Sequence, residues 1–259
     1  MSTFLFDKII FGPVNSRRLG VSLGINLLPI GTKVCSFNCI YCECGLTPAS
    51  FRHKAELPSR LEVNEKLEAK LTEMKSGGRL PDVITFAGNG EPTLHKEFDG
   101  IIDDTVRLRD KFAPKARIAV LSNATRIHSP KVFDALLKVD DNIQKLDSAF
   151  IETIKLLNCP GGTFNLEQTV EEFTRFKGKV IIQTMFVKGA YKGEFIDNSV
   201  DKEVNAWMEL LKKIQPGMVM IYTIERDTPN PGLMKVSKEK LNEIAEKVKE
   251  LGMEVQVSG

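Results

Sequence analysis

Val83-Ile84-Thr85-Phe86-Ala87-Gly88-Asn89-Gly90-Glu91-Pro92 holds the plan of the chain in one stretch. Val83 to Ala87 is apolar and rich in β-branched residues, as a buried strand is, and the glycines and Pro92 mark a turn. Residues 97 to 112 then place apolar side chains at helical spacing. The same succession of strand, loop and helix recurs along the chain. Apolar runs lie at Ile118–Leu121, more weakly at Ile143–Leu146, and then at Val180–Val187 and Met218–Tyr222. Helices are predicted near 129 to 138, 165 to 176, 200 to 214 and 238 to 250. Pro130 suits a first helical position and Ser237 an N-cap. Continuous apolar strands of this kind belong to parallel sheets.

Toward the N-terminus, Val21–Leu28 alternates as a strand does, and residues 62 to 76 form its helix. About six βα units result, with a closing run at Met253–Val257. The prediction is an α/β fold, a partial (β/α)6 TIM-type barrel with its functional residues on loops after the carboxyl ends of strands. Periodicity does not reveal strand order, so a doubly wound, Rossmann-like sheet is the alternative. No Pro/Gly/Ser-rich linker divides the 259 residues, 42% of them hydrophobic. One domain over 1–259 is expected: a cover segment at 1–19, a barrel core at 20–225, and a C-terminal helix and strand at 226–259.

No apolar run approaches the ~20 residues of a membrane span, and the N-terminus lacks a basic segment followed by an apolar one. A cytoplasmic protein with no membrane partner is expected. Lys and Arg number 36 against 34 Asp and Glu, a net charge of +2, without a basic block that announces nucleic acid. Of five cysteines, an odd number, four crowd between Cys35 and Cys44. That pattern suits a metal site better than a disulfide framework.

Cys35-Ser36-Phe37-Asn38-Cys39-Ile40-Tyr41-Cys42 follows directly after the first predicted strand. Thiolates are the usual ligands of iron–sulfur clusters, and a four-iron cluster held by three of them leaves one iron open to a small molecule. Structural zinc, with Cys44 or His53 as fourth ligand, is the alternative, although the spacing differs from the paired Cys-x2-Cys of zinc ribbons. An iron–sulfur electron carrier or a zinc-stabilised binding module is the corresponding non-enzyme reading.

Cys-x3-Cys-x2-Cys with an aromatic before the third cysteine resembles the signature of the radical S-adenosylmethionine superfamily. The resemblance implies a [4Fe-4S] cluster on Cys35, Cys39 and Cys42 and S-adenosylmethionine on the open iron. It implies reductive cleavage to methionine and a 5'-deoxyadenosyl radical that takes hydrogen from a substrate, with Tyr41 near the adenine. Gly88-Asn89-Gly90-Glu91 is similar to the family's glycine-rich turn for the methionine amino group, with Asn89 a variant. Ser122 and Asn123, then Lys145 and Asp147, fall where the family often binds the carboxylate and ribose hydroxyls; turn formation is their ordinary role. Gln183, beside Thr184 in an apolar run, is a candidate contact to adenosine or substrate.

Tyr222-Thr223-Ile224-Glu225-Arg226-Asp227-Thr228 forms a polar cluster aimed at the mouth of a barrel. Tyr222 and Arg226, together with Arg17 and Arg18 ahead of the first strand, are candidate substrate residues. Phe11-Gly-Pro-Val-Asn-Ser-Arg-Arg-Leu-Gly20 followed by Ser22-Leu-Gly-Ile-Asn26 looks like a subgroup related to the wyosine tRNA-modifying enzyme. The substrate class stays open among tRNA, a small metabolite, and a partner protein that receives a glycyl radical. The resemblance also implies an external one-electron reductant of flavodoxin or ferredoxin type. No catalytic side chain is assigned.

Overall fold

Side-chain alternation along the strands builds two faces of unlike character. The computed structural model describes residues 4–16, 19–48 and 56–259. In β3 (Val83–Phe86), Ile84 and Phe86 join the main core, while Val83 belongs to a separate small cluster. The pattern repeats in β4 (Arg117–Ser122), where Ile118 and Val120 join the main core and Ala119 the small cluster. Period-two geometry makes this partition compulsory.

β2 (Gly20–Ile25), β3, β4, β5 (Asp141–Lys145), β6 (Ile181–Met185), β9 (Met218–Tyr222) and β11 (Val255–Ser258) lie side by side, all parallel. Their order follows the chain without reversal, the arrangement of a curled, open β/α barrel. The doubly wound alternative, which needs a reversal of strand order, is thereby excluded. Helices cover the convex face: α1 (Arg60–Ser76), α2 (Phe98–Phe112), α3 (Pro130–Leu136), α4 (Ile151–Asn158), α5 (Leu166–Arg175), α6 (Asp201–Ile214) and α7 (Lys238–Glu250). Leu67, Phe98, Phe173, Trp207 and Leu241 are among the fully buried side chains there, and each such burial stabilises by roughly 1.5–3 kcal/mol. Ser59, Asn165 and Ser237 cap α1, α5 and α7 through side-chain acceptors, each worth about 1 kcal/mol.

The structure departs from the sequence reading in three places. Residues 10 to 16, expected as part of a polar cover, pair antiparallel with β2 as β1 (Ile10–Ser16). Phe11 lies against Gly24, where a Cβ would stand 2.1 Å from the ring, and it stacks on Phe6 at 3.7 Å. The run Val180–Val187 is not one strand. Asn198 donates to Met185 O and Asp147 O and accepts from Val187 N–H, and this turns the chain into a second sheet. That sheet comprises β7 (Val187–Tyr191), β8 (Glu194–Asp197) and β10 (Leu233–Lys235). Finally, α4 is only 8 residues long, too short for its periodicity to stand out.

On the concave face the small cluster includes Ala119, Ile143 and Met220, with Ile181 packed against it. Two residues later on the same strands come Leu121, Lys145, Tyr222 and Gln183, and these line a cavity. The inner face therefore runs from apolar to polar toward the carboxyl ends. Among the described residues, no helix is long and apolar enough to cross a membrane.

Candidate active site

The cysteine loop after β2 is held from two sides. Val34 N–H donates to Asn89 O at 2.8 Å and Val34 O accepts from Glu91 N–H at 3.1 Å, which joins the loop to the glycine turn after β3. On the other side, Asn38 N–H donates to Asn158 O and Ile40 N–H to Leu157 O, both at 2.9 Å, at the end of α4. Phe37, Ile40 and Tyr41 pack with Leu157, Met185 and Ile196. With those side chains buried, Cys35, Cys39 and Cys42 line a cavity of about 820 Å³.

Cys44 does not line that cavity; its thiol points to Gly88 O at 3.5 Å. This leaves Cys35, Cys39 and Cys42 as the three thiols on the cavity wall. Among the described residues, no three His, Cys, Asp or Glu side chains gather as they do around a single ion. His53 lies outside the described residues. The donor set and its cavity thus fit a [4Fe-4S] cluster.

Electrostatics around the thiols are strongly uneven. Burial pushes Cys35 up to about 12 and raises Cys39 as well. Cys42 falls to about 5, chiefly through the Cys44 hydrogen bond and then through Lys33, and Cys44 as the donor is raised. Burial works against the Lys33 ammonium, yet the facing Cys42, Cys35 and Cys39 raise it above the ordinary lysine value. Lys33 Nζ also donates to Gly45 O at 2.7 Å and ties the loop closed.

At the ends of β3 and β4, backbone and carboxylate cooperate. A Cβ on Gly88 would stand 2.4 Å from Asn26 Oδ1, so only glycine lets the turn pass. Glu91 accepts from Thr93 N–H at 3.1 Å, from Thr93 Oγ1 at 2.5 Å and from Asn123 N–H at 2.6 Å. Burial raises its carboxyl in spite of those donors. Asn123 Nδ2 donates to Ser36 Oγ at 2.9 Å and lies 3.5 Å from Cys35 Sγ. Ser122 Oγ accepts from Ala124 N–H at 3.1 Å, the turn role open to it, while still lining the cavity.

Gly88, Gly90, Glu91, Ser122, Asn123, Lys145, Gln183 and Tyr41 all reach the cavity wall, and so do Tyr222 and Arg226. Two predicted cofactor residues turn away. Asn89 is fully buried, donates to Phe6 O and Pro29 O, and accepts from Phe6 N–H. Its carbonyl is taken by Val34, so it staples the N-terminal segment and does not face the cavity. Asp147 is equally absent from the cavity wall. Its carboxylate accepts from the Tyr41 hydroxyl, from Asn158 Nδ2 at 2.6 Å and from Met185 N–H at 2.9 Å.

Lys145 bridges the two environments. Its Nζ donates to Tyr41 Oη at 3.0 Å, lies 5.1 Å from the Tyr41 ring centroid and faces Asp147 at 3.7 Å. Burial disfavours its charge, but Asp147, Tyr222 and Cys39 more than compensate and raise it. The Gln183 amide has no hydrogen-bonding partner among the described residues and opens onto the cavity beside Lys145. At the mouth, Arg226 pairs with Glu43 at 2.7 Å, not with Glu225 or Asp227. Arg17 and Arg18 lie outside the described residues. Sequence reasoning missed Lys33 and Asn158, whose only signals were position: two residues before Cys35, and beside the Cys159-Pro160-Gly161-Gly162 loop.

Residues 30–197 match the family model described as the Radical SAM superfamily. A UPF0026 protein, slr1464, of a Synechocystis species is 32% identical, with 85% of this chain and 77% of that protein covered. A protein named GTPase Obg of Brachyspira hyodysenteriae is 30% identical over 98% of this chain, but the match takes in only 35% of that protein. Among solved structures, a radical SAM methyltransferase from Sphaerobacter thermophilus superposes with a TM-score of 0.67 at 15% identity. That likeness covers 92% of this chain and 65% of the methyltransferase, and it concerns the fold.

Proposed function

This chain belongs to the radical S-adenosylmethionine superfamily, and from that premise we propose that Cys35, Cys39 and Cys42 hold its [4Fe-4S] cluster, with S-adenosylmethionine bound along the ends of β3 to β6. A bound, reduced cluster would supply the one electron needed for reductive cleavage of S-adenosylmethionine, the chemistry that would give methionine and a 5'-deoxyadenosyl group able to take hydrogen from a substrate. The observation that carries this reading is the convergence of three thiols, the glycine turn and the Lys145–Gln183 pair on one cavity of about 820 Å³.

The chain's own residues bind and orient. Gly88 and Gly90, without a Cβ, let the turn pack against Asn26 and Val34 and so hold its backbone at the cavity wall. The unpartnered Gln183 amide offers a donor and an acceptor to polar ligand edges. Lys145, held charged by Asp147, offers a fixed cation toward a carboxylate. Glu91 acts at one remove, fixing Asn123 through its backbone N–H. Phe4, Phe6 and the Arg226–Glu43 pair border the mouth and limit water entry. The hydrogen donor enters through that mouth, past Tyr222, and the electron comes from an external one-electron reductant of flavodoxin or ferredoxin type.

The test is the electron paramagnetic resonance spectrum of the reduced, anaerobically reconstituted protein with and without S-adenosylmethionine. The proposal expects the signal to shift on addition and Gln183→Ala to weaken the apparent affinity about tenfold, roughly 1.4 kcal/mol. A reduced cluster whose spectrum ignores S-adenosylmethionine describes an electron carrier instead.

A further inference from the structure

Two of the three thiols meet an amide nitrogen, each from a different part of the chain, and a buried lysine shares their cavity. Asn123, just past β4, places Nδ2 3.5 Å from Cys35 Sγ. Asn158, the last residue of α4, places Nδ2 3.4 Å from Cys39 Sγ. Lys33, just before the loop, lines the same cavity as the three cysteines, and its Nζ is bonded to Gly45 O, next to the Gly45 N–H that donates to Cys42 O at 2.9 Å.

Lys33 differs from the two amides because it brings a whole charge. It is 2% exposed, and the 2.7 Å bond to Gly45 O keeps Nζ from swinging toward water. No carboxylate among the described residues forms an ion pair with it; what it shares its cavity with are the sulfurs of Cys35, Cys39 and Cys42. An isolated buried ammonium is costly, so its place among three sulfurs is accounted for by the negative charge it meets there. Asn158 is fixed in a similar way: the same amide nitrogen also reaches Asp147 Oδ2 at 2.6 Å and Tyr41 Oη at 2.9 Å.

Net charge, hydrogen bonds to the sulfurs and burial are the quantities by which a protein sets the potential of an iron–sulfur centre. Reduction adds one negative charge. A cation and two amide donors held against the ligand sulfurs stabilise the reduced form more than the oxidised form. We propose that Lys33, supported by Asn123 and Asn158, is the electrostatic device that raises the cluster's reduction potential to a value its electron donor can reach. Lys33 acts as a positioning residue, through the sulfurs of the cluster ligands. The inference rests on the assignment of Cys35, Cys39 and Cys42 as cluster ligands.

The experiment uses the full chain, reconstituted anaerobically with iron and sulfide, as wild type, Lys33→Gln, Lys33→Met, Lys33→Arg and Asn158→Leu. Iron and acid-labile sulfide are counted first, and the midpoint potential is then titrated by electron paramagnetic resonance. Lys33→Gln keeps a donor for Gly45 O and removes the charge; Lys33→Arg keeps the charge. The neutral variants are expected to show at least a tenfold lower ratio of reduced to oxidised cluster at the wild-type midpoint, about 59 mV for one electron. Lys33→Arg stays near wild type, and Asn158→Leu moves the same way by less. If Lys33→Met fails to fold, Lys33→Gln alone decides. A wild type that takes up no cluster overturns the ligand assignment itself. A wild type that loads fully beside a Lys33→Gln of unchanged midpoint overturns only the role given to Lys33.

Discussion

Val34 and Gly90 are so closely apposed that a Cβ on Gly90 would stand 1.8 Å from the Val34 carbonyl oxygen. The residue before the first cysteine and the centre of the glycine turn are therefore one structural unit, bridged as two parallel backbones. Gly90 also sits at a φ of +136°, which L side chains rarely adopt. Gly90→Ala is expected to cost roughly 3 kcal/mol or more, because strain and a backbone clash add. Gly31→Ala, at a φ of +86° with nothing within 4 Å, is the control and costs about 1 kcal/mol. Urea denaturation of the two variants checks the contrast, and equal losses contradict it.

Asp147 and Lys145 form the buried pair beneath the cavity, with the Asp147 side chain wholly inaccessible. Removing one partner strands the other. Asp147→Asn is expected to destabilise by about 3–5 kcal/mol, and Lys145→Met combined with it to recover part of that loss. A double-mutant cycle by chemical denaturation reads the coupling. Additive single effects would show that the two charges do not sense each other.

Glu91 gives a pH dependence with a definite sign. Burial raises its carboxyl above the ordinary value of 4.5, so the folded chain holds the proton more tightly than the unfolded chain does. Its contribution is fully present below 4.5 and is lost as pH rises through the folded value. Wild type should therefore lose stability relative to Glu91→Gln as pH climbs from that point. Thermal unfolding of both proteins across a pH series measures the difference; a constant gap contradicts the assignment.

The parallel strands and the cysteine loop were legible because each rests on local pattern: apolar runs of strand length and a fixed spacing of thiols. Strand order was not, since periodicity carries no information about neighbours. β1 escaped notice because its residues are polar and glycine-rich; what makes it a strand is the free edge of β2, a tertiary cause. The site shows the same division. Lys145 and Gln183 lie on strands, where alternation settles which face they join, and both reach the cavity. Asp147 lies two residues beyond β5, where alternation no longer binds, and Tyr41 and Asn158 draw it inward. Asn89 is likewise captured by two carbonyls distant in sequence. Lys33 and Asn158 acquire their roles only when separate elements meet at the sulfurs.

The proposed cluster on Cys35, Cys39 and Cys42 is defined by its ability to cleave S-adenosylmethionine. The most direct measurement is 5'-deoxyadenosine formed after anaerobic reconstitution and dithionite reduction, in wild type and in Cys39→Ala. Deoxyadenosine is expected from the wild type and none from a Cys39→Ala protein that remains folded by circular dichroism. Deoxyadenosine formed equally by both, or a wild type that loads zinc and leaves S-adenosylmethionine intact, would contradict it.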